Sequence, residues 1–586
     1  MRTEPPAEGF LRHRGLIVAS AGGAMAEAGL LTLLAPAARV IAPQVTALPA
    51  LAAYHDLRWL FAYSQSWLSF SAGLVILLLA RSAFDAALLR LAWPRHRQAP
   101  PVSAVFWSCA ALTMLAWLLL SPAAVLAFGV AVLPFSWPFL AALPIMLGIV
   151  LALSHGGALG SWWRRLPPPR TVAWLLASFL VLSAAAAVIA HLGTAAALGV
   201  TAAAGLVNAR AWYSLAGVAS RSRKAAEGPQ VVSVSETIWR EVARASRLAL
   251  RGVPVAPLSA LLVLAMAVGV TRLIFTGTIK LTGPAGPGGH VGAVVNAAGA
   301  AGAASLAGLA GQSRMAGAAV QRARGAVLVV AGFGSTCCDD ARDLAAALPG
   351  MVVRQFSYQG MNAAGQPLPS GSGADDVPLP QLGDRIAAQL TRLHQRTRTP
   401  VDIVAESEGT LGVYAMLVRH PGLPVGSLVL LSPIVEPGQL SYPVPSRQGD
   451  GTVSGYALTE LNRLIGGMSP YGSKGAQQLI SSVSEFGARY FAAVSHSRAM
   501  RWLAVIPLAD AVTLPVCELP PGAIVVPAFH GGLLGHPAVR QMVGDFLEGE
   551  QVSGGGQEQG QMRTAAELLS GAAAAWRMPA VRPVCP

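Results

Sequence analysis

The chain has few charged residues and few cysteines, and each shortage excludes a class of protein. Only 12% of its 586 residues are charged while 53% are hydrophobic, which is too apolar for a single water-soluble globule. Its five cysteines are too few for a disulfide scaffold, and none has the paired CxxC spacing of a zinc site. The composition therefore favours a membrane protein, and we predict no metal.

The N-terminal part combines apolar stretches with an excess of basic residues, and this excess accounts for the net charge of +14. Stretches of about 20 apolar residues predict transmembrane helices. About seven are present, at residues 15–35, 62–80, 102–121, 133–153, 171–190, 194–214 and 255–276. The sequence thus predicts an all-α transmembrane bundle over residues 1–276. Its expected partner is a lipid bilayer, and we expect it to bind no nucleic acid.

The loops between these stretches are alternately rich and poor in Lys and Arg. Because basic loops face the cytoplasm, this pattern places the N-terminus there. An odd number of spans then places the C-terminal half on the other side. The expected localisation is the cell membrane, as a multi-pass protein with an exoplasmic C-terminal domain.

The C-terminal half has the periodicity of a soluble α/β domain. Residues 277–322 are dense in Gly and Ala and predict a flexible linker. Over residues 323–550, short β-branched runs alternate with amphipathic stretches, which predicts a mostly parallel, doubly wound sheet with helices on both faces. Residues 551–586 are expected to be a mostly disordered tail, with an Ala-rich helix at 564–576.

One turn in this domain has the pattern of a catalytic serine. The apolar run from Val401 to Val404 predicts a buried strand that enters the sequence AESEG, and a helix follows directly. A serine between small residues at a strand-to-helix turn is typical of a nucleophile elbow. Ser407 would be that nucleophile. The alternative is that Ser407 only caps the following helix.

Three further features agree with a catalytic reading. The sequence AGFGS follows the first strand of the domain, where the backbone N–H of Phe333 could join that of Glu408 in an oxyanion hole. Asp510 follows a late strand, and His530 follows the next strand. The chain order Ser407, Asp510, His530 is typical of one hydrolase fold.

Over residues 325–548 these motifs together resemble the α/β-hydrolase superfamily, of the serine esterase and lipase type. The resemblance implies a sheet of the eight-stranded type. It also implies Ser407 as the nucleophile, His530 as the general base and then acid, and Asp510 as the group that orients His530. No cofactor is implied.

The sequence departs from the family pattern at two places. Ala331 stands where the family has the histidine of its HG motif, but an oxyanion hole made of backbone N–H groups does not need that side chain. Glu406 and Glu408 flank the serine, and their charges are expected to raise the pKa of His530 and to disfavour anionic substrates.

Two members of the proposed triad have rivals in the sequence. His536 lies six residues beyond His530, although it also fits the start of a helix before Pro537. Glu436, after the strand VLLSPI, is the alternative acid to Asp510. Residues 437–500 are rich in aromatics and predict a cap inserted over the active site.

The expected function is that of a membrane-anchored exoplasmic serine hydrolase that cleaves carboxylic esters, with lipids or acylated envelope molecules as natural substrates. Alternatives are an acyltransferase or thioesterase on the same scaffold, or a non-catalytic membrane sensor or assembly protein with a hydrolase-like binding domain. An oxidising compartment would permit a disulfide between Cys337 or Cys338 and Cys517, or between the adjacent pair. The substrate and the oligomeric state stay open.

Overall fold

The computed structural model describes much of the N-terminal part and most of the C-terminal domain. It covers residues 10–34, 44–130, 169–189, 192–227, 325–335, 337, 340–371, 374–434, 451–465, 478–479, 481–483, 485–486, 500–510, 519, 522–552, 556–574 and 576. The predicted spans at 133–153 and 255–276 and the linker at 277–322 lie outside the described residues, as does most of the predicted cap at 437–500.

The described N-terminal part is helical. Its helices are α1 (Arg14–Leu34), α2 (Pro49–Tyr63), α3 (Trp67–Leu91), α4 (Val102–Val130), α5 (Pro169–Ile189) and α6 (Thr194–Glu227). Small residues let these helices approach closely. A Cβ added to Gly205 of α6 would lie 2.7 Å from the carbonyl oxygen of Ser20 in α1, and the Ser20 hydroxyl donates to the Gly205 carbonyl at 2.7 Å. A buried ion pair joins Arg81 of α3 to Asp56 of α2.

The prediction of about seven membrane spans is wrong. In the described part of the chain, only α3 is long and apolar enough to cross a bilayer, with a mean hydropathy of 1.9 over its best window. The apolar described stretches of α4 and α5, Val102–Leu118 and Ala173–Ile189, are shorter. Helices α1 and α6 are rich in Ala and Gly, and this composition suits close packing between helices as well as it suits lipid. Apolar periodicity alone does not separate these two cases.

The C-terminal domain contains a parallel sheet, which confirms the α/β part of the predicted fold. Its strands are β1 (Gly325–Val330), β2 (Met351–Gln355), β3 (Val401–Glu406), β4 (Val425–Leu431), β5 (Arg501–Ala509) and β6 (Ile524–Phe529). The six described strands lie in the order β2-β1-β3-β4-β5-β6, and every neighbouring pair is parallel.

Helices cover both faces of this sheet. They are α7 (Asp340–Ala347), α8 (Leu379–Thr397), α9 (Glu408–Arg419) and α11 (Pro537–Leu547), whereas α10 (Thr452–Ile465) packs against α4 and α2 of the N-terminal part. Alternate residues of β1 point to opposite faces. Leu328 shares a core with residues of α8 and α9, whereas Val327 and Val329 share a second core with residues of α7 and α11.

The end of the chain is more ordered than its composition suggests. A last helix, α12 (Gln557–Ala574), packs against β5, β6 and α5. Trp576 is 2% exposed, and its indole N–H donates to the Ser183 hydroxyl of α5 at 2.8 Å. The tail after residue 551 thus contains a helix longer than the expected Ala-rich one.

Candidate active site

The loops after β1 and β3 meet at the place where the strand order reverses. From β1 the chain continues to β2 on one side, and from β3 it continues to β4 on the other. In an open parallel sheet this reversal leaves a crevice at the carboxyl ends of the strands, where ligands bind. Residues 331–335 and Ser407 both lie at these strand ends.

Ser407 has an uncommon backbone conformation. It connects β3 to α9 with φ 52° and ψ −120°, a region that costs about 1–3 kcal/mol for a non-glycine residue. Although Ser407 occupies the N-cap position of α9, its side chain makes no capping hydrogen bond, so the helix-capping alternative does not account for it. Gly409 must be small because a Cβ there would collide with the carbonyl oxygen of Val330.

The structure brings Ser407, His530 and Asp510 together in one hydrogen-bonded chain. The Ser407 Oγ lies 2.9 Å from the His530 Nε2, and the His530 Nδ1 lies 2.9 Å from the Asp510 Oδ2. All three side chains are buried: Ser407 is 2% exposed, and the side chains of His530 and Asp510 are 3% and 0% exposed. These distances lie within the range that proton transfer from a serine to a histidine requires.

The charges around His530 favour its protonated form. Burial by itself disfavours the imidazolium, but the charge and hydrogen bond of Asp510, together with the charge of Glu406, raise the pKa of His530 above its ordinary value. Because Asp510 binds the Nδ1, a neutral His530 would carry its proton on that atom. Its Nε2 would then be free to accept the Ser407 proton.

The predicted oxyanion loop lies directly against the serine. A Cβ on Gly332 would be 3.1 Å from the Ser407 Cβ, so a larger residue there would push against the serine, whereas glycine allows this close approach without displacement. Phe333 follows in the loop. The N–H of Glu408 is the first of helix α9, so it has no acceptor four residues back in that helix. These two residues were the predicted backbone donors: Glu408 directly follows Ser407, and Phe333 directly follows Gly332, which lies against the serine.

Two side chains that sequence reasoning missed hold this loop in place. The Tyr358 hydroxyl donates to the carbonyl oxygen of Ala331 at 2.6 Å. On the other side, the Asp375 Oδ2 accepts from the N–H of Gly334 at 2.5 Å. Tyr358 comes just after β2, and Asp375 precedes α8. The only sequence signal was the pair of adjacent aspartates in a loop otherwise rich in Gly and Ser.

The two glutamates that flank Ser407 differ in their surroundings. The Glu406 Oε1 accepts from the N–H of Leu533 at 2.8 Å, which links β3 to the loop that carries His530. The carboxyl of Glu408 is buried, and both of its oxygens lack a hydrogen-bond partner among the described residues. Burial, with the charges of Asp375 and Asp376, raises the pKa of Glu408 well above its ordinary value. The expected effect on His530 therefore comes from Glu406.

The rival residues do not enter the described triad. His536 is the N-cap residue of α11, and burial, together with the charge of Arg540, lowers its pKa. Glu436 lies outside the described residues. Cys337 is disulfide-bonded, whereas Cys109 is a buried free thiol, so the partner of Cys337 is one of the cysteines beyond the described ranges. The predicted pairing with Cys517 stays a prediction.

The chain matches no known protein-family model, and no curated protein is significantly similar to it in sequence. The function of this chain is therefore inferred from the geometry of this site.

Proposed function

We propose that this protein is a serine hydrolase that cleaves carboxylic esters through an acyl-enzyme. The observation that carries this proposal is the chain of 2.9 Å contacts from Ser407 through His530 to Asp510, with the serine at a strained strand-to-helix turn. A serine hydroxyl is a weak nucleophile at neutral pH unless a base takes its proton. The site supplies that base and the group that orients it.

In the first half-reaction, the Ser407 Oγ attacks the ester carbonyl carbon while its proton passes to the His530 Nε2. The carbonyl oxygen becomes an oxyanion, which the backbone N–H groups of Phe333 and Glu408 would stabilise. When the tetrahedral intermediate collapses, the bond to the alcohol oxygen breaks. The alcohol leaves with the proton from His530, and the acyl group stays on Ser407.

In the second half-reaction, water replaces the alcohol. His530 removes a proton from the water, the resulting hydroxide adds to the acyl carbon, and a second tetrahedral intermediate forms in the same oxyanion hole. Its collapse breaks the bond to the Ser407 oxygen, which regains a proton from His530, and releases the carboxylic acid. No cofactor takes part in either half-reaction.

The first prediction tests the nucleophile. Ser407→Ala should abolish labelling by a fluorophosphonate probe and lower the hydrolysis of p-nitrophenyl esters by about 10⁴-fold or more, because the histidine then has no hydroxyl to activate. A matched control is Ser432→Ala. Ser432 is also a buried serine with positive φ at a strand end, so its substitution should leave labelling intact.

The outcomes separate the competing functions. Labelling at residue 407 with ester turnover supports a hydrolase. Labelling with a single burst of alcohol release, followed by turnover only when an alcohol or thiol acceptor is added, indicates an acyltransferase. If the folded wild-type protein is not labelled, catalysis is contradicted and the domain is better interpreted as a non-catalytic binding domain.

We also propose that the protein is attached to a lipid bilayer. Support comes from α3, whose exposed residues include Leu68, Val75 and Ile76. The disulfide of Cys337 favours an oxidising compartment for the C-terminal domain. The predicted exoplasmic side now rests on that disulfide, because the count of spans on which it first depended is wrong. Retention in membranes washed with alkaline carbonate would test the attachment.

A further inference from the structure

Two adjacent carboxylates, Asp375 and Asp376, hold two different parts of the domain. Both lie in the loop that leads into α8. Neither takes part in the Ser407 relay described above. Their backbone positions are consecutive, so a single peptide unit joins the two residues.

Asp375 faces the oxyanion loop. Its Oδ2 accepts from the N–H of Gly334, and the residue is 3% exposed. Gly334 has φ 75°, a conformation that favours glycine, and it directly follows the predicted donor Phe333. The bond therefore fixes the backbone one residue away from the group that would bind the oxyanion.

Asp376 faces the cap segment, defined here as the described residues between 478 and 486. Its Oδ1 accepts from the N–H groups of Gln478 and Leu479 at 2.7 and 3.3 Å. A second link lies beside it, where the Ser482 hydroxyl accepts from the N–H of Leu379 at 2.8 Å. Leu479 is buried in the main core, so this segment is packed as well as hydrogen-bonded.

The charges of this loop also act on the residue that follows the nucleophile. After burial, the charges of Asp375 and Asp376 are the causes that raise the pKa of Glu408, the residue that follows Ser407. One loop thus binds both the oxyanion loop and the cap segment, and its charges act on Glu408.

We propose that Asp375 and Asp376 are positioning residues that couple the seating of the cap segment to the geometry of the oxyanion loop. The inference rests on the proposed esterase function and deepens it. When the cap segment is seated, Asp376 holds the loop, and Asp375 holds Gly334 so that the N–H of Phe333 points at the oxyanion. When the cap segment is released, the oxyanion loop loses the support of Asp375 and keeps that of Tyr358.

The test compares kcat and KM for a p-nitrophenyl ester, the rate of fluorophosphonate labelling and the thermal midpoint. Asp375→Ala should lower kcat and the labelling rate by about 10- to 100-fold with KM changed less than about threefold, because a misplaced donor weakens mainly the transition state. Asp375→Asn keeps an oxygen acceptor for Gly334 and should restore most of the activity. Asp376→Ala and Ser482→Ala should each lower kcat by several-fold.

The coupling itself is measured by a double-mutant cycle. If the cap segment acts through Asp375, Ser482→Ala should have no further effect on kcat in the Asp375→Ala background. A control is Asp384→Ala, which removes an exposed carboxylate of α8 that pairs with Arg419 and His420, and it should change no kinetic constant.

Each outcome decides the question. If the effects of Asp375→Ala and Ser482→Ala on kcat multiply in the double variant, the coupling is overturned. If kcat is unchanged in Asp375→Ala, the positioning role is overturned. If Asp375→Ala does not fold, Asp376→Ala and Ser482→Ala must still slow the labelling of Ser407, and unaltered labelling overturns the proposal. An inactive wild-type protein that no fluorophosphonate labels would instead contradict the proposed function.

Discussion

The strained backbone of Ser407 persists because its neighbours hold both of its peptide groups. Its N–H donates to the Leu431 carbonyl at 3.0 Å, and its own carbonyl accepts from both the N–H and the hydroxyl of Thr410, at 3.0 and 2.7 Å. Three hydrogen bonds of about 1 kcal/mol each can offset the cost of the conformation. The hydroxyl of Ser407 is thereby left to face His530.

The charges around the single residue His530 should also set the pH dependence of ester hydrolysis. Since the base must be unprotonated and its pKa is raised, kcat/KM should fall as the pH is lowered through a pKa above the ordinary value of a histidine. Glu406→Gln removes one of the charges that favour the imidazolium while keeping an oxygen acceptor for Leu533. It should therefore move this acid limb to lower pH.

The measurement is the pH profile of kcat/KM for a neutral ester. Glu548→Gln, which changes an exposed glutamate at the end of α11, is the control and should leave the limb in place. If the acid limb of the kcat/KM profile does not move in Glu406→Gln, then Glu406 serves only to bind the N–H of Leu533.

At the scale of elements, the position of Ser407 depends on how closely α8 packs against α9, the helix that follows the serine. Gly383 of α8 allows this approach, since a Cβ there would lie 2.8 Å from the backbone nitrogen of Met416 and 3.0 Å from the Cβ of Ala415. Backbone atoms of a packed helix cannot move aside as a flexible side chain does. The contact therefore fixes the distance between the two helices.

Gly383→Ala should destabilise the protein by about 1–2 kcal/mol. Alanine in a helix interior gains up to about 1 kcal/mol over glycine, but the overpacking costs about 1–3 kcal/mol and outweighs this gain. The matched control is Gly560→Ala in α12, where an added Cβ meets open space and the helix gain should appear alone. Thermal unfolding midpoints measure both variants, and a stabilised Gly383→Ala protein would contradict the packing argument.

At the scale of the whole molecule, the end of the chain joins the helical part to the sheet. Helix α12 lies along the outer described strand, where the Gln559 amide both donates to and accepts from the backbone of Val525 at 3.1 Å. Beyond it, Trp576 stacks on Phe179, with ring centroids 4.5 Å apart, and its carbonyl accepts from the Tyr54 hydroxyl. The C-terminal domain is thus packed against the helical part.

Trp576→Ala should therefore weaken this junction. Removing a buried tryptophan costs about 3–5 kcal/mol, and here the loss should fall on the docking of the chain end. We expect faster proteolytic cleavage after residue 551 and a lower unfolding midpoint. Leu568→Ala, which truncates a side chain that is 39% exposed on the same part of the chain, should behave like the wild type. Equal cleavage rates for the two variants would contradict the junction.

The sequence indicated the elements that depend on local pattern. Short β-branched runs alternating with amphipathic stretches predicted the parallel sheet, because a period of 2 or 3.6 residues is a property of neighbouring positions. The turn at Ser407 and the order of Asp510 and His530 could be recognised for a related reason: each follows a strand, and the carboxyl ends of parallel strands meet at one edge of the sheet.

Contacts between distant segments were beyond that reasoning. Whether an Ala- and Gly-rich helix faces lipid or another helix depends on its neighbours, so the number of spans was overestimated at α1 and α6. The hydrogen bond between Gly334 and Asp375 joins residues 41 positions apart in the sequence. The hydrogen bond between Trp576 and Ser183 joins residues 393 positions apart. Sequence alone thus determined which local elements form and which side chains are candidates for catalysis. Packing decided which polar groups support those side chains, since such contacts arise only when remote backbones meet.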